Sequence, residues 1–168
     1  VVITLSAVYA QLVMKFTTAQ TITLILVVNI TAAIGAFVFG YVQDRLGHKK
    51  TLALTILLWI IMGVMAAFSH GPVSFWIAAN IAGIAMGSSQ SAGRAVVAVF
   101  APAGELAQFY SAWNVAVWGA NVLGPITYGT VTWLTSGDQR TAILVTTLFF
   151  VIGLLILRRV HLPSKTVC

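Results

Sequence analysis

Gly40-Tyr41-Val42-Gln43-Asp44-Arg45-Leu46-Gly47-His48-Lys49-Lys50 is the stretch on which the reading of this 168-residue chain turns. It crowds Asp44, Arg45, Lys49 and Lys50 into one short corner, whereas no charge lies between Lys15 and Asp44 or between Lys50 and Arg94. A helix that crosses the hydrocarbon core needs about 20 apolar residues at 1.5 Å each. A charged corner between two long uncharged stretches therefore reads as a loop joining two membrane-crossing helices. Gly40 and Gly47 suit a close helix approach and a tight turn. Asp44 is placed to face the positive N-terminal end of a neighbouring helix or to pair with Arg45, and either contact can break when helices rock. An ordinary basic loop obeying topology is the plainer alternative.

The rest of the chain agrees with a bilayer setting. Hydrophobic residues make up 60% and charged residues 7%, and the mean hydropathy is +1.00. That charge is too sparse to solvate a soluble globule, and disordered chains are charge-rich and apolar-poor. Uncharged stretches, one of them broken at Ser69-His70-Gly71-Pro72, give five complete spans near residues 20–43, 51–68, 73–95, 109–134 and 141–157. Residues 1–14 read as the tail of a sixth. The chain begins at Val1 without a charged leader, so this stretch does not read as a signal peptide, and the chain is expected to be a fragment. The fold class is thus all-α integral membrane. Strands are disfavoured because 51–68 lacks the alternation of a transmembrane barrel strand. Its nine Leu, Ile, Val and Phe residues are worth roughly 3–5 kcal/mol of insertion free energy.

Charge placement sets the orientation. Alternate loops share a side, which groups Arg45, Lys49, Lys50, Arg94, Arg158, Arg159 and Lys165 against Lys15 and Arg140. The positive-inside rule puts the loop 44–50, the loop 95–108 and the C-terminal tail in the cytoplasm. The net charge of +6 then needs no nucleic acid, and a basic surface toward anionic lipid accompanies it.

Two spans carry polar stripes. Asn80, Gly83, Gly87, Gln90 and Arg94 recur at steps of three and four, which align on a helix, with Ser88, Ser89 and Ser91 in the same third. Polar groups at such depth face a bundle interior or a water-filled path. Gly83 and Gly87 form a G-x-x-x-G pair suited to helix packing, and Arg94 serves either as a gate or anion contact or as a residue snorkelling to headgroups. The next span repeats the pattern with Asn114, Trp118, Asn121, Pro125 and Tyr128. Gly124-Pro125 marks a hinge or a static kink, because proline removes one backbone donor. Trp59, Trp76, Trp113 and Trp133 read mostly as interface anchors.

Asp44, Glu105 and Asp138 all fall in loops or at span ends, leaving no carboxylate at mid-span. No His-Asp pair, H-E-x-x-H motif or phosphate-binding glycine loop is present, and the one cysteine, Cys168, has no metal-ligand neighbours. No enzyme activity, metal or cofactor is expected.

The corner 40–50 resembles the G-x-x-x-D-R-x-G-x-K-K pattern of the major facilitator superfamily. Gly87-Ser-Ser-Gln90-Ser-Ala-Gly-Arg94, Phe100-Ala-Pro102-Ala-Gly-Glu105-Leu-Ala-Gln-Phe109-Tyr110, Leu123-Gly124-Pro125 and Gly137-Asp-Gln-Arg140 follow in order. That succession is similar to the C-terminal half of the vacuole-effluxer-like family, related to autophagy-linked vacuolar amino-acid exporters. The resemblance implies a fold of twelve helices in two bundles, with this chain supplying the end of helix 7 and helices 8–12. It implies a secondary transporter of small solutes, amino acids in some relatives, that requires the missing N-terminal half-bundle as partner. It places the protein in a bacterial cytoplasmic membrane, or in a vacuolar membrane if the source is eukaryotic. Many members carry lysine near the position of Trp118, and glycines where this chain has Ser88-Ser89.

The expected roles are therefore a conformational latch at Asp44 and Arg45 within the 40–50 motif and cavity contacts at Asn80, Gln90, Arg94, Asn114 and Asn121. Gly83, Gly87, Gly124 and Pro125 are expected to serve packing or hinge motion. A non-transporting membrane scaffold is the alternative, built on the same small-residue faces. The topology has a direct test in intact cells, with Cys168→Ser as background. Cysteine at position 45 should react only with membrane-permeant maleimide, and cysteine at position 137 should react with impermeant reagent too.

Overall fold

The computed structural model describes residues 15–69 and 71–160. The expected partial span at 1–14, together with His70 and the C-terminal tail from 161, lies outside the described residues. Five helices follow in order, and no strand occurs among the described residues: α1 Thr18–Leu46, α2 His48–Ala67, α3 Pro72–Phe100, α4 Leu106–Leu134 and α5 Gln139–Arg159.

The helices overrun the apolar stretches because charged residues continue the backbone turn once they reach water. Lys49 and Lys50 lie in the first turn of α2, and Arg94 lies inside α3. The loop expected at 44–50 accordingly shrinks to Gly47, which ends α1 and starts α2 at φ +80°. Its N–H donates to the Gln43 carbonyl, and its own carbonyl accepts from Thr51 N–H. A residue with a Cβ is disfavoured at that φ, so glycine is the residue that lets one helix follow another without a linker. The loop expected at 95–108 likewise narrows to 101–105.

Local caps fix the other ends. Thr17 and Gln20 form a reciprocal capping box at the start of α1, at 3.3 and 2.9 Å. Pro72 opens α3, where its missing N–H has no helical partner to lose. Asp138 caps α5 through Arg140 N–H. The Thr141 hydroxyl, which donates to the Asp138 carboxylate, and the N–H bond hold its pKa below the ordinary 3.8. The cap's contribution is thus complete above the unfolded value and fades as the pH falls through the folded one.

The bundle is assembled on α3, which packs mainly against α1 and α2 and touches α4; α2 and α5 form a second extensive pair. On the α1 side, small residues bring the backbones together. A methyl group on Gly35 would sit 2.7 Å from the Ile84 carbonyl oxygen. A methyl group on Gly87 would collide with the Ala32 carbonyl, and one on Gly83 with Thr31 and the Val28 carbonyl. Below this seam Phe16, Leu24, Val28, Phe75 and Ala79 form an apolar cluster, with Trp76 and Ile143 packed on it.

On the α2 side, Ala78, Ala85 and Ala92 recur every seven residues and are buried. There Trp59 Nε1 donates to Ser89 Oγ at 3.3 Å and its ring stacks on Phe150 of α5 at 5.2 Å. Trp59 is buried, not the interface anchor expected from its sequence position, because Gly63 of α2 lets Thr147 of α5 approach closely. Trp113 also packs inward, against Gly93. Trp133 is 80% exposed.

Most buried hydroxyls are satisfied without tertiary partners, the exception being Ser69 Oγ, which is buried and has no partner among the described residues. Thr51, Thr55, Ser88 and Thr147 each donate to a carbonyl three or four residues earlier in the chain. In a setting without water, this local bonding lets polar side chains be buried at little expense.

Helices α1, α2 and α5 are long and apolar enough to cross a membrane. The other two, each 29 residues and so about 43 Å long, carry the polar stripes.

Two glycine substitutions should have opposite signs. Gly87→Val forces α1 and α3 apart and should destabilise the fold by about 1–3 kcal/mol. No described residue lies within 4 Å of a methyl group built on Gly40, so no close approach is made there among the described residues. Gly40→Ala should be neutral or stabilising by up to about 1 kcal/mol through the helix preference of alanine. Unfolding midpoints of the detergent-purified variants separate the two.

Candidate functional site

The candidate residues concentrate on α3 and α4, and the structure divides them by environment. The α3 stripe does not act as one surface. Gly83 and Gly87 are buried in the α1 seam. Asn80 is half-buried and its amide donates back to the Trp76 carbonyl at 2.8 Å. Ser88 is buried and bonds to Ala85, so it does not join the exposed stripe. Gln90 and Arg94, further along the same face, are exposed.

Helix α4 is held at its two ends and open between them. At its start, Tyr110 donates to the Arg94 carbonyl at 3.1 Å, and Trp113 lies on Gly93. Near its end, Tyr128 is buried and its hydroxyl donates to Gln139 Oε1. Between these anchors Asn114 and Asn121 are exposed, and Trp118 is 73% exposed. Tyr128 thus belongs to the packing of α4 on α5, not to the open stripe.

The helix runs through Pro125 without interruption. Proline has no N–H, so the Asn121 carbonyl, four residues earlier, loses its usual helical donor. Position 121 therefore combines an exposed amide with a backbone acceptor that wants a partner. Gly124 and Pro125 are half-buried.

No hydrogen bond joins the candidates to one another among the described residues, and the side chains of Gln90, Asn114 and Asn121 have no partner there. Chemically the set offers amide donors and acceptors plus one permanent cation, Arg94, with no carboxylate among them. Such a surface binds polar, hydrogen-bonding groups and tolerates a carboxylate. It has no nucleophile paired with a base.

A further exposed amide, Asn29 in α1, escaped the sequence reading; it donates to the Ile25 carbonyl at 2.8 Å. The signal was there, as an amide inside a long apolar stretch, but with no second polar residue at helical spacing to draw attention to it.

The corner motif separates into a clamp and three exposed charges. Buried Gln43 bonds to His48 across Gly47 at 2.6 Å. Lys49 Nζ donates to the carbonyls of Arg158 and Val160 at 3.0 and 2.6 Å, which fastens the corner to the end of α5. A cation among the last carbonyls of a helix is favoured by both hydrogen bonding and the helix dipole. Asp44, Arg45 and Lys50 are exposed, and Asp44 does not pair with Arg45 or any other described residue. On the opposite end of the bundle, Arg140 donates to the Ser69 carbonyl at 3.1 Å, closing α2 onto α5.

Comparison with known proteins adds to this geometry. Residues 1–167 match the family described as Vacuole effluxer Atg22 like. The chain is 28% identical over 143 residues to YxiO, an uncharacterized MFS-type transporter of Bacillus subtilis strain 168, covering 85% of the chain and 33% of YxiO. It spans about a third of the length of the curated relatives it matches. Its fold is similar to the inward-open xylose transporter XylE from E. coli, with a TM-score of 0.81 and 19% identity over 96% of this chain and 44% of XylE. The proton:xylose symporter XylE bound to 6-bromo-6-deoxy-D-glucose gives a TM-score of 0.80 at 20% identity, over 96% and 41%. With a match running along nearly its whole length, this chain belongs to the Vacuole effluxer Atg22 like family, which falls within the major facilitator superfamily of integral membrane proteins.

Proposed function

We propose that this chain is the C-terminal half-bundle of a secondary transporter that moves small polar solutes, amino acids first among them, by alternating access. The observation that carries the reading is the open middle of α4 beside the exposed end of the α3 stripe. Gln90, Asn114 and Asn121 present amides that nothing among the described residues covers. Amides are costly to leave without partners in a membrane, so they are best explained by a water-filled path shared with a second bundle. That the chain spans about a third of its curated relatives' length supports a partner bundle elsewhere in the protein.

In this reading Asn80, Gln90, Asn114 and Asn121 line the path. Asn121 is the strongest of them, since Pro125 frees its carbonyl as well. Arg94, at the end where Arg45, Lys49, Lys50, Arg158 and Arg159 also gather, meets a carboxylate or gates the inner mouth. The same concentration of cations supports a cytoplasmic location for that end and for the C-terminus. The amino-acid class fits an amide-lined site with one cation and no internal anion. A coupling proton would need a titrating group in the partner bundle, since all three carboxylates of this chain lie at helix ends or in loops.

Asp44 and Arg45 complete the reading as a latch. Each is exposed and lacks a described partner. A neighbouring bundle could therefore supply a partner in one conformation and withdraw it in the other.

In the full-length protein, Asn121→Ala and Gln90→Ala should each weaken transport of labelled amino acids by roughly 5- to 100-fold in kcat/KM, equivalent to about 1–3 kcal/mol of lost polar contact. Membrane insertion should be unchanged. Normal transport by both variants would remove them from the path. Asp44→Asn should shift the balance of inward- and outward-facing states, read as altered cysteine accessibility on the two sides; unchanged accessibility would exclude the latch.

A further inference from the structure

The ends of α2 and α5 that meet at Lys49 enclose a groove of about 370 Å³, lined by Lys49, Lys50, Leu57, Leu154, Leu157 and Arg158 among others. Its volume is in the range of small-molecule sites, about 300–1,000 Å³. The groove is polarised along its length. Cations occupy one end, at the termini of the two helices, and leucines continue inward, Leu57 lying about 10 Å along the axis from Lys50 at 1.5 Å per residue. No carboxylate lines it.

The three cations are not equivalent. Lys49 is held by the Arg158 and Val160 carbonyls, so it fixes the shape of the groove. The side chains of Lys50 and Arg158 are exposed and have no hydrogen-bond partner among the described residues. The outer surface into which the groove opens is apolar: Leu54, Leu57 and Ile61 of α2 and Leu148, Ile152 and Leu155 of α5 are all exposed. These helices are two of the three apolar enough to cross a membrane. They are not the helices that carry the exposed amides. The groove therefore opens toward lipid, and its charged end lies where helices meet the headgroup layer.

We propose that this groove is a specific site for an anionic phospholipid, with the phosphate on Lys50 and Arg158 and an acyl chain along Leu57, Leu154 and Leu157. The match is one of charge and depth. A guanidinium offers a planar fork for phosphate, an ammonium adds a second point of contact, and the leucines continue in the direction an acyl chain takes from its headgroup. A soluble phosphate would use only the charged end. The site is separate from the α3 and α4 path and does not depend on what that path carries.

The test is native mass spectrometry of the detergent-purified full-length protein with phosphatidylglycerol and with phosphatidylcholine of the same acyl chains. Phosphatidylglycerol should be retained preferentially. Lys50→Ala with Arg158→Ala should lower its affinity roughly 5-fold per charge, about 25-fold together, while Arg45→Ala, which removes a cation from the same corner but outside the groove, should leave it within twofold. Leu154→Trp, which fills the groove and keeps every charge, should also lower it, and carries the test if the double variant does not fold. Inorganic phosphate and glycerol 3-phosphate should not displace the lipid at equal concentration. Undiminished binding by the variants, an equal loss in Arg45→Ala, or displacement by free phosphate would overturn the assignment.

Discussion

The arrangement depends on how closely the backbones of α1 and α3 approach. Where Gly87 meets the Ala32 carbonyl and Gly35 meets Ile84, there is no room for a side chain. In a bilayer, burying apolar surface between helices gives no gain over leaving it in lipid, so association relies on dispersion at short range and on polar contacts. Small residues supply the first of these along the α1 seam. The Trp59 hydrogen bond to Ser89 supplies the second along the other face of α3, while the Trp59 ring stacks on Phe150 of α5. With two faces of α3 committed to α1 and α2, α4 is left attached mainly at its ends, which is why its amides stay open.

The same economy explains how so many hydroxyls come to be buried. Thr51, Thr55, Ser88 and Thr147 bond to their own helices, and so they demand nothing from neighbours. Asn80 does likewise through Trp76. Asn114, Asn121 and Gln90 do not, and this difference in bonding, more than residue type, separates polar residues that belong to the packing from those available to a solute.

Much of this could be read from the residues alone. The helical membrane fold followed from composition and from the length of the uncharged stretches. The family was legible from the 40–50 corner and the ordered motifs after it. What escaped the sequence was direction around the helix. Asn80, Gly83, Gly87, Gln90 and Arg94 share a face by periodicity, yet that face is partly covered by α1, because the position of a neighbouring helix is a tertiary fact. Trp59 lies midway along the 51–68 stretch as well as along α2, so what the sequence hid was the side it faces, toward Ser89 and Phe150 inside the bundle. Gln43 and His48 were invisible as a pair because their meeting requires the chain to reverse at Gly47. Gly40 shows the opposite limit: a glycine in a motif need not mark a contact within the same bundle.

The joint at Gly47 carries a further consequence. Since one residue serves as the end of α1 and the beginning of α2, there is no slack to absorb a change of length. One inserted residue would turn α2 by about 100° about its axis. Lys49 would swing away from the carbonyls of α5, and Trp59 would lose its alignment with Ser89 and Phe150. This corner can vary by substitution but not by lengthening, and a twist at the end of α1 is transmitted directly into α2 as if through a rigid coupling.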